Sequence, residues 1–195
     1  MSDAAPQAPR VNDRHRKELA AALLIALLAL YRRRTRQTLD ALGLTTTPVV
    51  VSASTMAWLT AFANDRAAKA QRGINLRLGQ AVTELPDGAD AGVQRAALQQ
   101  ARTEMRDYNG TWLVPFLIST VVHQELVDTY RDLPSSMPGV SLADAVPWTW
   151  EQFTSNPDDC AEAAAASPAS LDTLLGITGS PPPVHERCLC QLSPT

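Results

Sequence analysis

Aromatic residues make up only 5% of the 195 in this chain, so large rings cannot fill its interior and alanine and leucine must do so. Helices packed closely through small side chains suit that composition. Cysteine is as sparse. The three present, Cys160, Cys188 and Cys190, all fall in the last quarter, which excludes a scattered disulfide framework and fits a reducing cytosol. An excess of charge is missing too: the net charge of −3 gives no general affinity for nucleic acid or for an acidic surface. No GxGxxG, Walker motif, serine nucleophile elbow or internal repeat occurs, and a non-enzymatic role is expected.

A membrane-spanning run is lacking as well. Leu19–Tyr31 is unbroken and apolar, but at 13 residues it is too short to cross a bilayer unaided. It runs into Arg32-Arg33-Arg34 rather than a small-residue cleavage site, so it is no signal peptide. The expectation is a helix covered on several sides by neighbouring helices or subunits, with no membrane partner. Eight of the seventeen basic residues lie between Arg10 and Arg36. The basic ends of this first helix suit an acidic partner or DNA, and a solvated face is the plainer reading.

What is present reads as mainly α, with long helices and a small C-terminal antiparallel β element. Residues 1–11 have no apolar period and form a flexible arm. Residues 12–133 form a helical body, and 134–195 a small Cys/His motif region. Helix one runs from about Asp13, its cap, to about Leu42, where Gly43 ends it. Val49–Val51 reads as a short strand or a helix entry, and Ser52 or Ser54 caps a second helix that Gly73 interrupts. Leu85–Gly88 is a turn, a third helix starts near Asp90, and Asn109-Gly110 breaks or kinks it. Helix resumes over Phe116–Arg131. His123 and Glu125 fit no H-E-x-x-H pattern and read as ordinary helix surface.

The C-terminal region carries the chemistry. Trp148, Trp150 and Phe153 read as a short strand, expected to pair with a strand through Cys188–Leu192. Asn156 and Pro157 suit the start of a short helix, with Cys160 in its first turn. There the macrodipole favours a thiolate, while Asp158 and Asp159 oppose it. Pro181-Pro182-Pro183 sets an extended approach to His185, and Cys188 and Cys190 alternate towards one side. Three soft sulfur ligands and an imidazole are the set a tetrahedral zinc site needs, which makes Cys160, His185, Cys188 and Cys190 the candidate metal ligands. Two other readings stay open: buried free thiols, and a disulfide from Cys160 to Cys188 or Cys190. A Cys–His nucleophile beside His185 lacks an obvious oxyanion hole.

The run Val146-Pro147-Trp148-Thr149-Trp150-Glu151-Gln152-Phe153, then Asp159-Cys160, then Pro182-Pro183-Val184-His185-Glu186-Arg187-Cys188-Leu189-Cys190 resembles the C-terminal signature of the phage Mu F-like head morphogenesis proteins. These are the minor head proteins of tailed phages. The likeness covers roughly the last fifty residues. Glu186 and Leu189 stand where that family usually has proline and arginine. The resemblance implies a structural component of head assembly that contacts the portal or the inner capsid, found in the virion and, during assembly, in the host cytoplasm. The alternative is a small zinc-stabilised nucleic-acid-binding module that meets packaged DNA through its basic first helix.

If Leu19–Leu30 packs against protein, the chain stays in the soluble fraction on cell fractionation. Leu24→Asp then disrupts folding or assembly, because a lone buried carboxylate costs several kcal/mol.

Overall fold

In the computed structural model, residues 12–152, 158–183, 188 and 190–195 are described. The fold is mainly α, with long helices and one two-stranded antiparallel sheet near the C-terminus. The elements are α1 (Asp13–Ala41), α2 (Ala53–Thr83), α3 (Ala91–Tyr108), a π-helical turn (Asn109–Leu113) and α4 (Val114–Asp132). Then come α5 (Leu142–Ala145), β1 (Trp148–Glu151), α6 (Asp158–Ala166), α7 (Leu171–Thr178) and β2 (Gln191–Pro194). They divide into two compact units, one from 12–27 and 52–113, the other from 28–51 and 114–195. The Cys/His motif region, 134–195, lies wholly within the second.

The ends of α1 follow from local chemistry. The cap is Asn12 rather than Asp13: its Oδ1 accepts the His15 amide at 3.1 Å. At the other end Gly43 takes a left-handed φ of 76°, and the Leu44 amide donates back to Leu39 O at 2.8 Å. Arg36 then holds the following segment by donating to the carbonyls of Thr45 and Thr47. Val49–Val51 is neither strand nor helix. Among the described residues α1 is covered along one side, where neighbouring helices or subunits were expected on several. Ala20, Leu27, Tyr31, Thr35 and Leu39 are buried as one stripe, whereas Ile25 is 71% exposed.

In the first unit, Ser52 Oγ caps α2 by accepting the Thr55 amide at 3.0 Å. Helix α2 runs through Gly73 without interruption. A Cβ there would lie 3.5 Å from Met105 Cε, so the glycine marks a close approach of α3 rather than a break. Asp90 caps α3 through the Gly92 and Val93 amides. Leu78, Ala81 and Ala101 form the apolar seam of this hairpin, and Arg77 reaches across it to Glu104 Oε2 at 2.7 Å. At Asn109-Gly110 helical bonding widens into the π turn instead of breaking.

The second unit has its own core. Trp148 and Trp150 on β1 both point inwards, with Thr149 and Glu151 on the other face. Trp148 donates Nε1–H to Ala143 O at 2.9 Å and meets Tyr130 of α4 edge-on, with ring centroids 5.3 Å apart. Leu171 and Leu174 of α7, Ala163 of α6 and Val127 of α4 close around them. The register pairs Trp150 with Leu192 and Trp148 with Pro194. The second strand therefore starts beyond Cys190, three residues later than expected. Pro194, which has no amide hydrogen, sits at the ladder's end, where none is needed. Of the expected first strand, Phe153 lies outside the described residues.

Trp148→Ala, which empties a site with no solvent exposure, is expected to destabilise the protein by about 3–5 kcal/mol in chemical denaturation. Thr149→Ala on the opposite face should change stability by no more than ~0.5 kcal/mol.

Candidate metal centre

Three elements of the second unit bring the cysteines together. Cys160 lies in the first turn of α6, where Asp158 opens the helix. Cys188 and Cys190 lie on the segment leading into β2, whose pairing with β1 holds them over the same core. All three thiols are unbridged and buried, with exposures of 0%, 4% and 1%. Their sulfur atoms all lie within 4.8 Å of one another. Ligands about 2.3 Å from a tetrahedral zinc place sulfurs about 3.8 Å apart, a separation within the span of these three.

Burial decides the protonation state. The Cys160 thiol is pushed up to about 12, first by loss of solvent, then by hydrogen bonding to Cys190 and the neighbouring charge of Cys188. The helix N-terminus, expected to favour a thiolate, is outweighed. Without a cation the Cys160 group stays a thiol. A divalent cation bound among the three sulfurs would supply a compensating charge and take the protons' place. Trp150 lies in the same core, and its indole Nε1 is buried with no hydrogen-bond partner among the described residues. The donor set therefore fits a soft or borderline ion such as zinc.

The fourth candidate, His185, lies outside the described residues, as do Asn156 and Pro157. Among the described residues no histidine or carboxylate joins the three sulfurs. The approach expected to be extended contains a cis peptide bond between Pro182 and Pro183. Comparison with protein-family models, with curated proteins and with solved structures gives no match to the chain. No helix among the described residues is long and apolar enough to cross a membrane.

A second polar cluster escaped the sequence reading. His123 and Glu125, expected on a helix surface, are only 8% and 0% exposed. Glu125 accepts Thr129 Oγ1–H at 2.8 Å and Thr38 Oγ1–H at 3.3 Å, and burial raises its carboxyl above the usual range. Asp128 accepts Tyr31 O–H at 2.9 Å. The signal was a matched pair of polar stripes. Tyr31, Thr35 and Thr38 recur at one-turn spacing on α1, and Glu125, Asp128 and Thr129 do so on α4.

A thiol raised in the folded state keeps its proton where the unfolded chain loses it. The metal-free protein is therefore expected to hold full stability below about pH 9 and to lose it as pH rises towards about 12. Thermal melts across that range should show the loss, and Cys160→Ala should flatten it.

Proposed function

We propose that this chain is a minor head protein of the phage Mu F-like kind. In this reading its C-terminal region is tied by a zinc ion, and it acts structurally in head assembly against the portal or the inner capsid. The observation that carries the proposal is the meeting of Cys160 with Cys188 and Cys190, residues 28 and 30 positions apart in sequence, in one buried cluster. These are the cysteines on which the resemblance rests. A shared motif whose members are scattered through a fold argues for chance, and one whose members converge argues for a common structural need. The role assigned to them is mechanical. Three sulfurs on α6 and the lead into β2, with His185 as the fourth ligand, would fasten a small β element whose core contains few large side chains.

The rival, a zinc-stabilised nucleic-acid-binding module, draws on Arg32 and Arg33, both exposed on α1. Assembly and DNA binding separate experimentally. Co-expressed portal or major capsid protein should co-purify with this chain on the first reading. On the second, the isolated chain should bind duplex DNA with an affinity that falls steeply with salt.

Metal analysis of protein purified without chelator is expected to give about one zinc per chain. Chelation, or Ala at any one of Cys160, His185, Cys188 and Cys190, should speed hydrogen exchange in residues 134–195 and leave the α2–α3 hairpin protected. Protein that is metal-free from the outset, with an unchanged exchange pattern in the variants, would remove zinc from the proposal.

A further inference from the structure

Opposite its buried stripe, α1 carries an apolar strip that the described residues leave bare. Ile25 is 71% exposed and Leu19 37%, and Ala22, Ala26 and Ala29 are exposed beside them. At one hundred degrees per residue, Ala22 and Ala29 share the middle of this face. Ile25 lies on one flank, and Leu19 and Ala26 lie on the other. The helix is unbroken here, so the strip is continuous over about three turns. Single apolar residues on a surface need no partner, but a contiguous strip ending in charge marks an interaction face.

The charges at its two ends are opposite. Glu18 lies one turn before Ala22, and Arg32 and Arg33 lie within one turn after Ala29, all three exposed. Glu18 meets Arg14 Nε at 2.8 Å on the open surface, a screened pair that leaves the carboxylate able to accept further donors.

We propose that this face binds a second copy of the chain, α1 against α1, antiparallel about a two-fold axis near Ile25 and Ala26. The order of the charges selects the occupant and its direction. Run antiparallel, Glu18 of each chain comes opposite Arg32 and Arg33 of the other, and the two-fold makes that attraction twice. Run parallel, Glu18 would face Glu18 and the arginines would face arginines. Between the charged ends, Ala22 meets Ala29 of the second copy. Ile25 lies beside the other chain's Ala26, whose small side chain leaves room for it. The same symmetry sets Arg14 across from Arg36, but that guanidinium is already engaged with Asp40 and with the carbonyls of Thr45 and Thr47. From Glu18 to Arg33 the contact is about 22 Å long, less than a permanent dimer buries, so pairing is weak and concentration-dependent. It depends neither on the zinc nor on the head-assembly reading.

The test is sedimentation equilibrium of the full chain at low salt, from about 5 µM to about 500 µM. The mean mass should climb from the 21.0 kDa of one chain towards twice that value, and added salt should weaken the pairing. Ile25→Asp changes an exposed position, so it should leave the circular dichroism unaltered while raising the dissociation constant about tenfold or more. Glu18→Arg should also weaken pairing, and adding Arg32→Glu and Arg33→Glu to it should restore the wild-type constant, a rescue that a folding defect would not show. Direction is read by cross-linking. Glu18→Cys mixed with Arg33→Cys should form a disulfide between chains, and Glu18→Cys alone should not, its two thiols lying about 20 Å apart. A chain that stays monomeric throughout overturns the proposal, and if anionic vesicles or duplex DNA then retain it through Ile25 the face belongs to them. A dimer indifferent to both Ile25→Asp and the charge exchange, or one that Glu18→Cys alone links, overturns it equally.

Discussion

The four-residue pairing of β1 with β2 is the constraint on which the C-terminal region depends. A two-stranded ribbon is marginal by itself, and this one persists because its inner face is fully covered. With Leu192 opposite Trp150, the residues just before β2 fall over the same core as α6, and the three sulfurs meet. A slip of one residue would turn Leu192 outwards and carry Cys188 and Cys190 with it. The register, more than any property of the thiols, is what makes a common site.

That site shows how burial and charge pull against each other. The first turn of a helix ordinarily makes a cysteine more acidic, yet Cys160 is driven the other way because solvent has been removed from around it. The same dehydration raises Glu125 and lowers His123. In all three cases the interior favours the neutral form. A positive ion brought among the cysteines would reverse that preference for Cys160.

Much of this was readable in the residues. Gly43, Ser52 and Asp90 marked helix ends through capping chemistry that depends on near neighbours, and the Trp148/Trp150 alternation marked the inward face of β1. The convergence of Cys160 with Cys188 and Cys190 was anticipated from chemical type and from the family likeness. What misled were residues whose roles are set at long range. Gly73 breaks a helix by propensity but accommodates Met105 in fact. His123 and Glu125 look like surface until the threonines of α1, nearly ninety positions away, are set against them. Ile25 sits in the most apolar stretch of the chain and is still exposed, because the apolar run is wider than the stripe that α1 buries.

The placement of the indoles has an optical consequence. The chain has four tryptophans, and they divide evenly: Trp58 and Trp112 belong to the first unit, Trp148 and Trp150 to the second. Trp112 is 42% exposed and samples water, whereas the second pair is buried in the core that also holds the three thiols, and thiols quench excited indole efficiently. The intrinsic fluorescence of the protein is therefore expected to combine two spectra of different colour, one from each pair. One pair reports on the helical hairpin and the other on the thiol cluster, without any dye attached.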